Sequence, residues 1–250
     1  MMAGEYAALA PVYTRSGLAD YSVRVTERLH DYAQAHEWMG RHILDLGCGT
    51  GAVMNWFVQN RPRLQLIGVD NEPAMLNVAR EKIGNAAQFY EQDLRSLSDI
   101  REIDMALAIN VINEIDSIRE LGAVFENVHK TLNPGKLFIF DLHTTEGLAN
   151  QGAVGDQGIV DEPDLAVFSH NDYDYEQQIY TCEYTIFNQV EGEWARGNGT
   201  RKLRSFPVQA VAVLLRRSGF EISTLLNENF NRLNTPTPGT LRVFFIATKQ

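Results

Sequence analysis

The stretch ILDLGCGTG, residues 43–51, decides the fold, because it joins a short apolar strand to a loop with almost no side chains. The apolar run contains Asp45, and glycines follow at positions 47, 49 and 51. Glycine tolerates positive φ angles and lets a ligand approach the backbone closely. A glycine loop between a strand and a helix lies at the carboxyl end of a parallel sheet, where small molecules bind. The stretch therefore predicts a small ligand held against bare backbone.

The segments around this loop alternate between strand and helix patterns from about residue 40 to residue 144. AVMNWFVQN reads as a helix, LQLIGVD as a strand, and EPAMLNVAREKIG as a helix with Pro73 in its first turn and Gly84 just past its end. AQFYEQD, DMALAINVI and KLFIFDLH follow as strands, with the helix IRELGAVFENVHKTL and an NPG turn before the last of them. The alternation predicts βαβ units and a parallel sheet covered on both faces.

The flanking segments show other patterns. Residues 5 to about 38 read as helical, ended by Gly40. Residues 144–164 are rich in glycine and acid and read as a loop, and residues 165–207 read as antiparallel strands with a turn at VEG. PVQAVAVLLRRSG then predicts a helix, and FEISTLL and TLRVFFIATK predict two closing strands.

Composition limits the function classes. The chain has 250 residues, 44% of them hydrophobic, and a net charge of −10 with a pI of about 5.1. An acidic chain without a basic run is poorly suited to nucleic acid or to a membrane surface. The N-terminus lacks the pattern of a signal peptide, and the longest apolar runs are far too short to span a membrane. The two cysteines, Cys48 and Cys182, lack metal-ligand spacing. We expect a cytoplasmic protein without a metal site.

A second acid narrows the choice of ligand. Asp70 ends the next strand, 23 residues after Gly47, where a carboxylate can accept hydrogen bonds from both hydroxyls of a ribose. The spacing Gly47-x-Gly49-x-x-Ala52 also satisfies the dinucleotide pattern. Asp45 disfavours that reading, because a carboxylate two residues before the first glycine would face an anionic diphosphate. The same carboxylate suits S-adenosylmethionine, which carries a sulfonium and an ammonium.

These motifs resemble a known family. ILDLGCGTG together with LIGVDNEPAMLNVAR closely resembles the first two motifs of the class I S-adenosylmethionine-dependent methyltransferases, and FYEQDLRSL resembles the third. In that third motif, the resemblance implies that Asp93 meets the adenine amino group and that Leu94 supplies a backbone contact. It also implies a Rossmann-like α/β fold with a seven-stranded, mostly parallel sheet whose last strand is antiparallel.

The resemblance gives the chain a domain plan. We expect one methyltransferase domain over residues 1–250. Residues 1–39 would form a helical cap, residues 40–144 and 208–250 a Rossmann-like core, and residues 145–207 an inserted antiparallel β lid.

A narrower resemblance concerns a bacterial subgroup with few assigned substrates. Its members begin with an fA-x-vYD motif and carry an Asn after the fourth strand and FDvHS after the fifth. Here Tyr13 matches the tyrosine, and Thr14 replaces the usual acid. Asn113 matches the Asn, and Asp141 and His143 match the positions after the fifth strand. This resemblance narrows the architecture more than the reaction.

The candidate site residues follow from these matches and from strand-end positions. Candidates for catalysis or acceptor binding are His143, Glu114 and Asn113. Arg15 is considered for the cofactor carboxylate. Arg201 and Arg204 are expected to be solvated, with a role toward a substrate anion as the alternative. The aromatic residues of the insertion read either as a sheet face or as part of an acceptor pocket. The expected cofactor contacts are Tyr13, Asp45, Gly47, Cys48, Gly49, Gly51, Asp70, Asn71, Met75, Asp93, Leu94 and Asn110.

The sequence therefore predicts a methyltransferase that moves a methyl group from S-adenosyl-L-methionine to N or O of a small-molecule acceptor by in-line displacement. A nicotinamide-dependent oxidoreductase and a non-catalytic cofactor-binding module stay open as alternatives, and so does a homodimer. A nucleic-acid methyltransferase is disfavoured, because NVIN stands where amino-directed enzymes often have NPPY. We expect the insertion and the N-terminal segment to form a lid.

Overall fold

The computed structural model describes residues 6–36, 38 and 40–250, and two sheets dominate that part of the chain. None of its helices is long and apolar enough to cross a membrane. The helices are α1 (Asp20–Ala35), α2 (Ala52–Asn60), α3 (Pro73–Ile83), α4 (Ile118–Thr131), α5 (Thr145–Gly152) and α6 (Val208–Arg217). The strands are β1 (His42–Leu46), β2 (Gln65–Asp70), β3 (Gln88–Glu91), β4 (Ile103–Ala108), β5 (Leu132–His143), β6 (Asp156–Glu162), β7 (Leu165–Asp174), β8 (Ile179–Val190), β9 (Glu193–Arg204), β10 (Phe220–Asn227), β11 (Arg232–Leu233) and β12 (Arg242–Lys249).

The central sheet has eight strands in the order β11-β10-β12-β5-β4-β1-β2-β3. Strands β1 to β5 pair in parallel, and β12 lies antiparallel between β5 and β10. Every residue of β4 is buried, as expected for a strand covered on both faces. The predicted α/β fold with an antiparallel last strand is confirmed. The sheet has eight strands rather than seven because the two-residue β11, too short to show a periodic pattern, pairs with the edge strand β10.

The helices that flank the parallel strands begin and end where the sequence signals predict. Helix α3 has Pro73 at its first position, and the Glu72 side chain accepts a hydrogen bond from the Ala74 amide. Gly84 follows the helix with a φ of 59°. Helix α4 begins after Ser117, whose hydroxyl caps the Glu120 amide. These local signals fix the helix boundaries, and the two apolar clusters beside the sheet hold the helices in place.

The helix predicted for residues 5 to about 38 is shorter in the structure. Residues 7–19 form a series of turns, and only α1 is an α-helix. Pro11 lacks an amide proton and Gly17 has a φ of 72°, so neither supports a continuous helix here. Positions 5, 37 and 39 of the prediction lie outside the described residues. The corrected picture is a turn-rich N-terminal segment, residues 6–19, followed by one helix.

The loop predicted for residues 144–164 is wrong, because it contains both α5 and β6. The Thr144 hydroxyl accepts a hydrogen bond from the Gly147 amide at 3.0 Å and begins α5. Strand β6 pairs with β7 at the edge of the second sheet, where most of its residues are half-buried or exposed. An edge strand that is exposed to solvent on both faces lacks the alternation of apolar and polar residues by which strands are predicted. The predicted NPG turn lies inside β5, as an irregularity in its pairing with β4.

The second sheet is antiparallel, in the order β6-β7-β8-β9. Strands β7, β8 and β9 lie within residues 165–207, where antiparallel strands are predicted, and β6 is an additional edge strand. Strands β8 and β9 pair along twelve residues each and turn at Glu191 and Gly192, both with positive φ. One face packs in an apolar cluster with the N-terminal segment and Met75 of α3, through residues such as Leu9, Val12 and Tyr173. This packing places the second sheet and the N-terminal segment beside the carboxyl ends of β1 and β2.

Candidate functional site

The glycine loop turns sharply between β1 and α2. Gly47, Gly49 and Gly51 all have positive φ, at 69°, 52° and 70°. A Cβ atom at Gly47 would lie 2.5 Å from Val111, and one at Gly51 would lie 2.7 Å from Ile83. At Gly49 a Cβ would meet no heavy atom within 4 Å. Gly47 and Gly51 therefore allow close packing behind the loop, whereas Gly49 presents an open face.

A cleft lies against that open face; the space free of protein atoms within it, together with the open solvent at its mouth, amounts to about 830 Å³. Eleven predicted residues line it, but Gly51, Asp93, Asn113 and His143 do not. The predicted residues that line it are Tyr13, Asp45, Gly47, Cys48, Gly49, Asp70, Asn71, Met75, Leu94, Asn110 and Glu114. The lining residues that sequence reasoning missed are Ala19, Ser22, Thr50, Ala52, Val53, Gln92, Ile109 and Val111.

Two acids lie at one end of the cleft. Asp45 is 3% exposed, and its Oδ2 atom has no hydrogen-bond partner among the described residues. Burial and the charge of Asp70 raise the pKa of Asp45 to about 8. Asp70 accepts hydrogen bonds from the amides of Gly49 at 2.8 Å and Glu72 at 2.9 Å. Burial raises the pKa of Asp70, although these amide hydrogen bonds lower it. This end of the cleft favours a ligand with positive charge or hydroxyl donors.

A different group of side chains forms another wall. Tyr6 from the N-terminal segment donates to Glu114 Oε1 at 2.8 Å, and the Arg201 Nε atom donates to the same oxygen at 2.9 Å. The Nη2 atom of Arg201 also donates to the Asn110 carbonyl at 2.6 Å. The Arg201 side chain is only 13% exposed, so its predicted solvation is wrong. Its position on β9, opposite Cys182 of β8, turns it toward the cleft.

Asn110 is held in an unusual conformation between these two regions. Its φ is 66°, and its amide donates to Asp141 Oδ1. Asp141 in turn accepts hydrogen bonds from Arg242 and from the Tyr21 hydroxyl, and Arg242 lies over the Tyr21 ring. The Asn110 Oδ1 atom is buried without a partner in the described part of the chain. Backbone strain of this kind persists only where neighbours enforce it, and it is common at ligand sites.

His143 and Asn113 lie behind the cleft and connect strands. Asn113 accepts a hydrogen bond from the His143 amide at 2.8 Å and donates to the His143 and Arg204 carbonyls. The His143 ring contacts Arg242 and Gln151, and burial together with Arg242 holds its pKa well below its usual range. Because neither side chain lines the cleft, the geometry does not favour their predicted contact with an acceptor. Both instead fix the ends of β5 and β9.

Asp93 also turns away from the cleft. Its carboxylate accepts hydrogen bonds from the Arg95 side chain and amide, and Arg95 holds the pKa of this carboxyl below its usual value. The neighbouring residues Gln92 and Leu94 line the cleft in its place. The predicted adenine contact of Asp93 and the predicted backbone contact of Leu94 both stay predictions.

Side-chain contacts hold the N-terminal segment against the cleft and against the second sheet. Besides the bond from Tyr6 to Glu114, the Thr14 and Thr50 hydroxyls lie 2.9 Å apart. The Arg15 guanidinium pairs with Glu162 and Asp164 at the tip of the β6–β7 hairpin. Arg15 therefore connects the segment to the second sheet and does not line the cleft, contrary to its considered role.

The residues that line the cleft are suited to a nucleoside cofactor with a cationic end. The unpartnered Asp45 oxygen and the unpartnered Asn110 oxygen are buried acceptors that a ligand ammonium would satisfy. The open face of Gly49 lets a ribose approach the loop beside Asp70.

Comparisons with known proteins agree with this geometry. Residues 43–135 match a family of methyltransferase domains. A carboxy-S-adenosyl-L-methionine synthase of Campylobacter lari is 35% identical over 100 residues, which cover 39% of this chain and 42% of the relative. A trans-aconitate 2-methyltransferase of Escherichia coli is 30% identical over 93 residues, covering 37% and 35%. This chain therefore spans less than half the length of these curated relatives.

Similarity to solved structures extends over the whole chain. An S-adenosylmethionine-dependent methyltransferase from Clostridium acetobutylicum aligns with a TM-score of 0.80 and 19% identity, covering 98% of each chain. DesVI from Streptomyces venezuelae aligns with a TM-score of 0.77 and 18% identity, covering 96% of this chain and 98% of that one. At these identities the alignments support the fold, including the second sheet.

Proposed function

We propose that the chain is a class I S-adenosylmethionine-dependent methyltransferase that methylates N or O of a small-molecule acceptor. The match of residues 43–135 to a family of methyltransferase domains and the similar fold of a solved S-adenosylmethionine-dependent methyltransferase support this proposal. The observation that carries the proposal is the buried, unpartnered carboxylate of Asp45 beside the open glycine loop. A cationic sulfur nucleoside would stabilise the ionised form of Asp45, whereas a diphosphate would add negative charge beside Asp45 and Asp70 and is disfavoured. The alternative nicotinamide-dependent oxidoreductase is disfavoured on the same ground.

The side chains divide the work of holding the cofactor. Asp70 would accept hydrogen bonds from the ribose hydroxyls, and Asp45 would face the ammonium. Leu94 and Met75 would pack beside the adenine, with Asn71 and Gln92 at its polar edge. When bound, the cofactor supplies an electrophilic methyl group on a sulfonium. Gly47, Cys48 and Gly51 shape the loop against which it lies, and Tyr13 closes the cleft from above.

The protein aligns the acceptor with the methyl group and excludes water. We assign Glu114 to the acceptor end of the cleft, because this residue lines the cleft and its carboxylate holds Tyr6 and Arg201 there. We assign His143 and Asn113 to positioning, through the ends of β5 and β9. The N-terminal segment and the second sheet serve as the lid that encloses a small acceptor. We further propose that the enzyme works in the cytoplasm; a homodimer stays open.

Similar proteins support both classes of acceptor atom. Two relatives are named as a trans-aconitate 2-methyltransferase and a malonyl-[acyl-carrier protein] O-methyltransferase. Structural neighbours include an amino pentose methyltransferase and a sugar N-methyltransferase. The proposal therefore includes both nitrogen and oxygen as acceptor atoms.

Two titrations and one assay test the function. We expect calorimetry to show binding of S-adenosylhomocysteine and no heat with NAD. We expect radiolabelled methyl groups to pass from S-adenosylmethionine to members of a panel of small acceptors. Binding of NAD alone would contradict the proposal. Binding of S-adenosylhomocysteine without turnover on any acceptor would favour a non-catalytic cofactor-binding module.

A further inference from the structure

Arg201 is a buried cation in a cleft that otherwise carries acids. Among the described residues that line the cleft, it is the only lysine or arginine, whereas Asp45, Asp70 and Glu114 are acidic. A buried guanidinium loses hydration, and it must recover that loss through hydrogen bonds and charge partners. Hydrogen bonds with Glu114 and with the Asn110 carbonyl supply part of that compensation.

The protein satisfies only part of this guanidinium. The Nε atom donates a hydrogen bond to Glu114, and the Nη2 atom donates one to the Asn110 carbonyl. Nη1 makes no hydrogen bond within the described part of the chain, and the residue borders open space. The two bonds fix the plane of the guanidinium, and Tyr6 fixes Glu114 from the other side. Arginine presents donors in a rigid fork that matches a carboxylate, so a preset fork with free donors favours a carboxylate ligand.

Different elements hold the two acids and this guanidinium. Asp45 and Asp70 lie on β1 and β2. Arg201 lies on β9 and donates hydrogen bonds to Glu114 and to the Asn110 carbonyl, both of which follow β4. Arg201 is therefore held by the segment after β4, on the acceptor side of the cleft.

We propose that the methyl acceptor is a small carboxylate and that Arg201 binds it, with Glu114 and Tyr6 holding the guanidinium in place. This inference rests on the proposed methyltransferase function and specifies its substrate class. Tyr6, Tyr13 and the sheet residue Arg201 close around the acceptor, which limits it to a small molecule. Because Glu114 Oε1 already accepts two hydrogen bonds, Glu114 is better suited to position Arg201 than to remove a proton.

The chemistry of such a reaction needs no base. An acceptor carboxylate is ionised at neutral pH, and one of its oxygens attacks the methyl carbon. A carbon–oxygen bond forms, the carbon–sulfur bond breaks, and its electron pair stays on sulfur. The products are a methyl ester and a neutral thioether, so the carboxylate loses its negative charge and the sulfonium its positive charge. Arg201 would bind the carboxylate more strongly than the uncharged ester, which favours product release.

The test combines binding and product chemistry. trans-Aconitate and its trimethyl ester are titrated calorimetrically into enzyme saturated with S-adenosylhomocysteine, and turnover is measured on small carboxylates, amino sugars and phenols. We expect trans-aconitate to bind and its ester not to bind. We expect the transferred methyl label to be released as methanol by alkali, as an ester requires. Arg201→Gln should weaken trans-aconitate binding by roughly 10- to 100-fold, with S-adenosylhomocysteine affinity changed by less than about threefold.

Two control variants separate a specific role of Arg201 from a general effect of charge. Lys202→Gln removes a neighbouring positive charge on the exposed face of β9 and should change neither affinity. Since Arg201→Gln leaves Glu114 as an unpaired buried charge, the double variant Glu114→Gln with Arg201→Gln provides a charge-balanced form. It should fold, bind S-adenosylhomocysteine and still fail to bind trans-aconitate.

Three results would overturn the carboxylate inference. They are turnover confined to amines or phenols, no binding of trans-aconitate to the loaded wild-type enzyme, and equal losses of cofactor and carboxylate affinity in Arg201→Gln. The last would assign Arg201 to the cofactor carboxylate. In each case, intact binding of S-adenosylhomocysteine to the wild-type enzyme would leave the proposed function standing, whereas loss of that binding would remove both.

Discussion

The two ends of the cleft are built on opposite plans. The cofactor end uses bare backbone and two acids within residues 43–70, on two neighbouring strands and the loop between them. The acceptor end uses three long side chains from distant segments: Tyr6, Glu114 and Arg201 are separated by 108 and 87 positions along the chain. A site built from local backbone can be recognised in a sequence, whereas a site built from folded contacts needs the structure. The following predictions test whether the ends are as independent as this comparison implies.

The largest expected effect concerns the cofactor end. Asp70→Ala should weaken S-adenosylhomocysteine binding at least about 100-fold, because it removes charge-assisted hydrogen bonds to the ribose and leaves the Gly49 amide unpaired. Calorimetric titration measures the loss. Glu91→Gln, an exposed acid at the end of the neighbouring strand β3, is the matched control and should bind normally. Similar affinities in both variants would remove Asp70 from the cofactor site.

A second comparison separates ligand contact from backbone strain. Gly49 and Gly135 both have positive φ and open space at the Cβ position, but only Gly49 lines the cleft. Alanine at either position should cost about 1–2 kcal/mol of folding free energy, because a side chain is strained in the left-handed region. Only Gly49→Ala should also weaken S-adenosylhomocysteine binding, by roughly 10- to 100-fold. Denaturant unfolding and calorimetry give the two quantities, and a Gly49→Ala protein with wild-type affinity would place the ligand elsewhere.

The third prediction uses the ionisation of Asp45. Its pKa of about 8 lies above the unfolded value of about 3.9, so its contribution to stability is full below pH 4 and declines as pH rises toward 8. A cationic ligand requires the ionised carboxylate. Affinity for S-adenosylhomocysteine should therefore rise between pH 6 and pH 8, by up to about tenfold per pH unit.

Proton release gives this prediction a second readout. Titrations at pH 6.5 in buffers of different ionisation enthalpy should show a proton released on binding. Asp45→Asn should abolish both the proton release and the pH dependence. A wild-type affinity independent of pH would show that Asp45 does not face the cationic end of the ligand.

The smallest expected effect concerns the lid. The ion pairs from Arg15 to Glu162 and Asp164 are exposed, and exposed pairs contribute little. Arg15→Gln should therefore speed proteolytic cutting within residues 6–19 only about two- to threefold. Saturating S-adenosylhomocysteine should slow cutting in both proteins. Unchanged cutting on cofactor addition would contradict the closing role of the segment; Arg24→Gln on α1 is a charge-matched control.

The accuracy of sequence-based prediction follows the same division between local and distant features. The alternation of strands and helices, the caps at Pro73 and Gly84 and the open glycine at position 49 are written in adjacent residues, and the structure has them as predicted. Strand β6 and helix α5 were missed because an edge strand and a short capped helix show no strong periodicity.

The site shows the same limit at the level of single side chains. Arg201 reads as a solvated residue in an alternating strand, but in the structure its side chain is only 13% exposed and contacts Glu114 and the Asn110 carbonyl, which are distant in sequence. The position of a residue at a strand end also did not specify whether its side chain faces the cleft. His143 and Asn113 occupy expected positions, but their hydrogen bonds turn inward, between strands. Asp93 is drawn to Arg95, two residues away, by a contact that the motif does not display.

A crystal structure of the enzyme with S-adenosylhomocysteine tests the central claim most directly. The account predicts ribose hydroxyls within about 3 Å of the Asp70 carboxylate and the amino nitrogen within hydrogen-bond distance of Asp45 or Asn110, with Arg201 still free to meet a second ligand. A nucleoside bound outside this cleft, or a homocysteine carboxylate seated on Arg201 with its ammonium remote from Asp45, would contradict the division of the cleft into a cofactor end and an acceptor end.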